Sequence, residues 1–380
     1  MIFSFIISLF IINFCNCNPA LPDLTNINHI VTTNYQQPLI ISHRGASGYI
    51  PEHSIPAYKL AIDLQTDYIE PDLCLSKDGV FVALHDLLLD DTTNIASFPE
   101  YNNRKRTQLV DGKILTGYFI NDFTISELKE LRLNQRLPQR SQLYNGLFEI
   151  PTLDEIMNLL EIENNKIGIF PELKHPSYFN SLGHIVKATL DDNINPERGF
   201  LMEDMLLEQL SNYNKDLIMI QCFEENTLIS LRNKTDIPLI LLVEDNDIWN
   251  NDYLKNISKF ANGIGPKKDL LDYKKMEMAH NNNLKVYPWT FRADDIDSKF
   301  NTFEEEQLYY IYCLGVDGLF TEFPDRTREM INLSNNYTLE CKSSLLGLQH
   351  SASGQGCKAS LNLFEGKSSL LGLQQNLLDV

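Results

Sequence analysis

Positive charge is in short supply in this 380-residue chain: 32 Lys and Arg stand against 51 Asp and Glu, a net charge of −19. A surface of that sign repels phosphate backbones and anionic headgroups, so no nucleic-acid partner and no stable membrane partner is expected. Cysteine is sparse, and two of the seven, Cys15 and Cys17, close an apolar leader, which leaves no dense disulfide framework. No apolar run reaches the ~20 residues of a bilayer-spanning helix. There is no Gly-x-Ser-x-Gly elbow, which disfavours a serine hydrolase, and no His-Glu-x-x-His or paired Cys-x-x-Cys zinc motif. What remains is globular in composition, with 43% hydrophobic, 10% aromatic and 22% charged residues. The length supports one large core or two ordinary ones. Phosphate chemistry on so acidic a chain needs a metal ion or a local cluster of cations.

The two ends differ from the middle. Residues 2–14 are almost wholly apolar and the first charge is Asp23. This pattern predicts a signal peptide over 1–17 and a secreted or lumenal/periplasmic protein, a short N-terminal anchor being the alternative. Asn-x-Ser/Thr sites at Asn233, Asn256, Asn332 and Asn336 suit that route. Toward the other end, Lys-Ser-Ser-Leu-Leu-Gly-Leu-Gln occurs at 342–349 and again at 367–374, around a Ser/Gly/Gln-rich stretch. Two copies cannot stack into a solenoid, so 335–380 reads as a low-complexity tail, or else a short extra helix packed on the domain. Cys341 and Cys357 lie in that tail, and their pairing is undecided by sequence.

Between the ends, short β-branched apolar runs recur at 39–42, 68–75, 80–85, 166–173, 217–223, 238–243, 263–265, 285–291 and 318–321. Helical patterns separate most of them. Ala57, Leu60, Ala61 and Leu64 follow the spacing of one helix face, and Thr124-x-x-Glu127 and Thr152-x-x-Glu155 have the form of capping boxes. Strand–helix alternation predicts an α/β fold with a parallel sheet, and about eight strands in this length fit a (β/α)8 TIM barrel over 38–330. Residues 90–150 hold no convincing buried strand and are expected to be a lid-like insertion on the C-terminal face of the strands.

Charged residues collect at strand ends. The first strand ends in His43-Arg44-Gly45, the second contains Glu70-Pro71-Asp72, and a later one reads Glu172-Leu173-Lys174-His175. Side chains alternate along a strand, so Glu70 shares a face with Asp72, and Glu172 with Lys174. Buried strands are ordinarily continuous apolar runs, and unpaired charges there cost several kcal/mol each. Glu70, Asp72 and Glu172 make a reasonable ligand set for one hard divalent cation, Ca2+ or Mg2+. Arg44 and Lys174 bring the cations that a phosphate requires, and His43 and His85 titrate near neutrality. Together these groups suit metal-assisted phosphodiester cleavage. Taken singly, each has an ordinary structural role open to it: an ion pair for Glu70 or Glu172, a turn for Asp86, a core position for Trp289. Their coincidence at strand ends favours the chemistry.

The run His43-Arg44-Gly45-Ala46-Ser47-Gly48-Tyr49-x-Pro51-Glu52-His53, followed by Tyr68-x-Glu70-Pro71-Asp72, Lys77-Asp78-Gly79 and His85-Asp86, resembles the glycerophosphodiester phosphodiesterases. Pro171-Glu172-Leu173-Lys174, Gln221-Cys222-Phe223, Tyr287-Pro288-Trp289-Thr290 and Thr321-Glu322-Phe323-Pro324-Asp325 continue in that family's order. The resemblance implies a TIM barrel holding one divalent ion on Glu70, Asp72 and Glu172. It implies His43 and His85 as the acid–base pair, Arg44 and Lys174 on the phosphate, and Phe223 and Trp289 lining the glycerol pocket. The long insertion looks like that of the bacterial periplasmic branch, which acts on small soluble glycerophosphodiesters to give glycerol 3-phosphate and an alcohol. Glu322 stands where the family often has Asp, and His53 where many members have Asn; neither is expected to touch the metal triad. Two alternatives remain: a phospholipase D-like lipid phosphodiesterase on the same barrel, and a non-catalytic secreted barrel that binds phosphoesters.

Overall fold

The computed structural model describes residues 37–164, 166–182 and 201–332; the expected signal peptide and the 335–380 tail lie outside them. Thirteen strands are described. They are β1 (Leu39–His43), β2 (Tyr68–Glu70), β3 (Asp72–Leu75), β4 (Phe81–Ala83), β5 (Arg106–Val110), β6 (Lys113–Gly117), β7 (Gly168–Ile169), β8 (Glu172–Leu173), β9 (Ile220–Cys222), β10 (Leu239–Val243), β11 (Gly263–Pro266), β12 (Lys285–Val286) and β13 (Gly318–Thr321). Pro71 separates β2 from β3, and Phe170-Pro171 separates β7 from β8, because proline has no N–H for the ladder. Counting each broken pair as one strand, parallel pairing runs from β13 through β1, β2/β3, β7/β8, β9, β10 and β11 to β12. A parallel bridge between Phe291 and Thr321 closes the circle. The result is the expected eight-stranded α/β barrel.

The helices are α1 (Ile55–Asp63), α2 (Ile125–Leu128), α3 (Leu153–Ile162), α4 (Pro176–Ser181), α5 (Met202–Gln209), α6 (Glu225–Arg232), α7 (Asn251–Ile257), α8 (Tyr273–Asn281) and α9 (Phe303–Leu308). In α1 the predicted face is buried at Ala57 and Ala61, and Ser54 caps the first turn. Thr124 and Thr152 form reciprocal capping boxes with Glu127 and Glu155 at the starts of α2 and α3.

One apolar run departs from the expected parallel order. The 80–85 run becomes β4, antiparallel to β3 and outside the barrel circle, with Leu73 opposite Ala83. The reason is local: Gly79 sits at φ 77 in the turn after β3, a left-handed conformation that glycine adopts without strain, and the chain folds straight back. That reversal brings Leu84 to hydrogen-bond the Asp72 carbonyl at 3.0 Å, and so delivers His85 to the level of Asp72.

Two cores flank the barrel wall. Outside it, the helices pack on the strands around residues such as Leu73, Leu160 and Leu228. Inside, Ile41, Tyr68, Phe170, Met219, Ile240, Tyr287 and Phe320 form a separate plug, with Phe170 and Phe320 centroids 5.4 Å apart. The two-residue period of a strand then sets the layer above: His43 follows Ile41, Glu70 follows Tyr68, Glu172 follows Phe170, Gln221 follows Met219, Trp289 follows Tyr287 and Glu322 follows Phe320. The aromatic plug is thus the floor of a polar site.

The 90–150 stretch packs against the barrel with short 3-10 turns, α2 and the exposed hairpin β5–β6, whose tip is Asp111-Gly112. Among the described residues no helix is long and apolar enough to cross a membrane.

Candidate active site

All nine residues singled out from the sequence meet at one end of the barrel. Glu70, Asp72 and Glu172 are buried, and each offers a carboxylate oxygen within 4.8 Å of the others. The Arg44 amide donates to Glu70 Oε2 at 2.9 Å and Gln221 Nε2 donates to Glu70 Oε1 at 2.9 Å. Lys174 Nζ lies 2.8 Å from Glu172 Oε1. Asp72 is approached by Arg44 Nε at 3.1 Å and by His53 Nε2 at 3.0 Å, both at Oδ2, while its buried Oδ1 has no hydrogen-bond partner. The expectation that His53 stays off the triad is therefore overturned. Its backbone at φ 64 turns the ring inward, and Tyr58 holds the other ring nitrogen at 2.7 Å.

Electrostatics show that this cluster is short of positive charge. Burial, then Asp72 and Glu172, push the Glu70 carboxyl well above its ordinary range. Burial raises Glu172 to about 8, against the pull of Lys174. Burial also opposes ionisation of Asp72, but Lys174 and Arg44 outweigh it and hold Asp72 well below the usual range. Three converging carboxylates with an orphaned buried oxygen fit a divalent cation. With Arg44 and Lys174 as the local cations, such an ion leaves the site one charge positive, the complement of a phosphodiester anion.

Arg44 reaches the site through a turn that only glycine permits. Arg44 and Gly45 have φ 61 and 83, and a Cβ on Gly45 would lie 2.6 Å from the Ala57 carbonyl carbon of α1. The guanidinium also pairs with Glu52 at 2.8 Å, and Glu52 in turn meets Arg136 Nε at 3.2 Å.

The two histidines are both held neutral near pH 7. Burial, then Arg44, lowers His43 to about 3. Burial, then Arg44 and Lys174, lowers His85 to about 4. Each has a carboxylate on Nδ1: Glu322 Oε1 at 2.9 Å from His43, and Asp86 Oδ1 at 2.8 Å from His85. Nδ1 therefore carries the proton and Nε2 keeps its lone pair. Side-chain exposure differs, at 10% for His43 and 28% for His85. Glu322 escaped the sequence reading as a functional residue. Its signal was the position two beyond Phe320 at a strand end, where an acid is costly unless it has a partner.

Phe223 and Trp289 meet edge-to-face with centroids 5.9 Å apart, and Lys174 Nζ lies 5.7 Å from the Phe223 ring. They line a cavity of about 1530 Å³ with His43, His85, Glu172 and Lys174. Val110, Asp111, Lys113 and Leu115 of the hairpin line the same cavity, and Asp111 Oδ2 meets His175 Nδ1 on the barrel rim at 2.5 Å.

Residues 43–326 match the glycerophosphoryl diester phosphodiesterase family. The chain belongs to that family. A glycerophosphodiester phosphodiesterase of Arabidopsis thaliana is 36% identical over 325 residues, covering 76% of this chain and 84% of the relative. One from Haemophilus influenzae is 28% identical, covering 77% and 89%. In fold, the chain resembles an Oleispira antarctica phosphodiesterase solved in complex with its product sn-glycerol-3-phosphate. That match has a TM-score of 0.57 and 20% identity, over 78% of this chain and 97% of the other. The family and these relatives make the protein a phosphodiesterase of the glycerophosphodiester class, with the barrel expected from its sequence.

Proposed function

We propose that the enzyme hydrolyses small glycerophosphodiesters to glycerol 3-phosphate and an alcohol, dependent on one divalent cation, with His43 and His85 exchanging protons with the reacting oxygens. The observation that carries this reading is the meeting of three ligand carboxylates, two cations and two neutral, carboxylate-backed histidines around one cavity. Glu70, Asp72 and Glu172 would hold Ca2+ or Mg2+. When bound, such an ion supplies Lewis-acid polarisation of the phosphoryl group. Arg44 and Lys174 bind the non-bridging oxygens, and charge that develops there meets preorganised donors. Phe223 and Trp289 present two perpendicular ring faces to the glycerol carbons.

His43 is assigned as the base. Its Nε2 accepts the proton of the attacking oxygen, and buried Glu322 stabilises the imidazolium that forms. His85 is assigned as the acid: its greater exposure lets Nε2 exchange protons with solvent, and in its protonated form it gives that proton to the departing alkoxide. The proton taken up by His43 returns to solvent to reset the pair. The attacking oxygen is that of water or of the glycerol 2-hydroxyl. We also propose that the hairpin acts as a lid limiting substrate size, and that the protein is exported. Exposed sequons at Asn233 and Asn256 support the second point.

The test is product analysis. Glycerophosphocholine, lysophosphatidylcholine and sphingomyelin are each incubated with enzyme in chelator and in Ca2+ or Mg2+. Glycerol 3-phosphate and choline from the first substrate, only with metal, are expected. Phosphocholine from it, preference for either lipid, or full turnover in excess chelator with no metal retained would refute the reading.

A further inference from the structure

Arg140 belongs to the 90–150 stretch, yet its guanidinium is buried behind the catalytic wall. Nη2 donates to Glu322 Oε2 at 2.5 Å. Nε and Nη2 grip Asp294 Oδ2 and Oδ1 at 2.7 and 2.9 Å, and Nη1 donates to the Ser47 carbonyl at 3.0 Å. Glu322 spends its other oxygen on His43 Nδ1 at 2.9 Å and on Arg292 Nε at 2.9 Å. Ser47 meanwhile donates its hydroxyl to the carbonyl of His43 at 2.7 Å. One side chain therefore touches both supports of His43: the carboxylate on its ring, and the turn on its backbone.

We infer that Arg140 is a positioning residue for the reaction: it fixes Glu322, and through Glu322 the orientation and Nδ1–H tautomer of His43. Glu322 is fully surrounded by protein and meets two cations, Arg140 at Oε2 and Arg292 at Oε1. Removing Arg140 therefore makes its charge costlier and leaves Oε2 without its donor and the carboxylate less firmly held. A rotated or protonated Glu322 no longer demands a proton on Nδ1, and the tautomer with Nε2–H cannot accept a proton from the attacking oxygen. Arginine suits the place because its planar fork meets Asp294 with two nitrogens while one of them also serves Glu322. The stretch that was expected to act as a lid thus supplies part of the active site's frame. The inference rests on His43 being a proton-transfer group.

Three measurements on the full-length, metal-loaded enzyme test it. Arg140→Met is expected to lower kcat on glycerophosphocholine about 10–100-fold, the range for removing an outer-shell partner, with KM changed less than about threefold. Glu322→Gln combined with Arg140→Met should be no slower than Glu322→Gln alone, since both act on one bond. ¹⁵N spectra of histidine-labelled protein should show the His43 ring leaving the Nδ1–H form in Arg140→Met and keeping it in Arg140→Lys. If Arg140→Met does not fold, Arg140→Lys decides. It should keep the tautomer and most of kcat where Arg140→Gln, which keeps hydrogen bonding but no charge, loses both. An unchanged tautomer in the charge-removing variant overturns the inference, as do multiplicative losses in the double variant. A shifted tautomer with unchanged kcat upholds the Arg140–His43 link and instead refutes the proton-transfer role of His43.

Discussion

In metal-free enzyme, Glu172 should cost stability as pH rises from 5 to 8, and a divalent cation should remove that cost. His43 and His85, held neutral by burial, act in the opposite direction below their ordinary 6.5, so the effect is read as the difference between wild type and Glu172→Gln. The perturbed group is Glu172, lifted by burial from its ordinary 4.5 to about 8. Below the unfolded value both states hold the proton, and Glu172 contributes no difference. Between 4.5 and 8 the unfolded chain releases it while the folded protein retains it, so stability falls with pH. Above 8 both are ionised and the full cost is present. Each tenfold change in proton affinity corresponds to about 1.4 kcal/mol, so the whole span is worth up to about 5 kcal/mol. For a domain of this size 1 kcal/mol moves the melting temperature by about 2 °C, which makes a drop of about 10 °C. Differential scanning calorimetry of wild type and Glu172→Gln from pH 4.5 to 8.5, in EDTA and in saturating Ca2+, measures it. A difference in melting temperature between the two proteins that stays flat with pH in EDTA would refute the reasoning. So would the same decline with pH when Ca2+ is bound to the wild type.

The remaining expectations concern single parts of the site. Glu70→Gln removes one charge from the triad and should weaken Ca2+ or Mg2+ binding at least tenfold by isothermal titration calorimetry; unchanged affinity would remove Glu70 from the ligand set. His43→Ala and His85→Ala should each cost about 10²–10⁴-fold in kcat on glycerophosphocholine. On an aryl phosphodiester, whose leaving group needs no acid, His85→Ala should recover far more than His43→Ala, and equal recovery would void the acid–base assignment. Replacing 107–116 by a two-residue turn removes the hairpin tip while sparing Arg136 and Arg140. It should raise the relative rate on bulky diesters, and identical kinetics on small and bulky substrates would show that the hairpin is no lid.

Much of this architecture was legible before any fold was known, because it depends on local periodicity. The i, i+2 spacing of Glu70 with Asp72, and of Glu172 with Lys174, placed each pair on one face of a strand, and the capping threonines marked where α2 and α3 begin. Alternation of strand and helix, ended by short β-branched runs, implied the barrel. Family-like motifs then supplied roles for His43, His85, Phe223 and Trp289 that spacing alone left open.

Only the closed barrel decided which distant side chains meet. Glu322 reaches His43 across 279 residues of sequence, and Arg140 reaches Glu322 across 182. Neither contact has a periodic signal, because barrel closure rather than strand pleat brings those residues together. The same holds for His53, whose contact with Asp72 depends on the left-handed turn after β1, and for His85, which arrives because β4 runs backward from Gly79. Residue type and spacing determined what chemistry the chain can do. Tertiary packing determined which carboxylate holds which histidine, since a buried charge must find whatever partner the fold brings within about 3 Å.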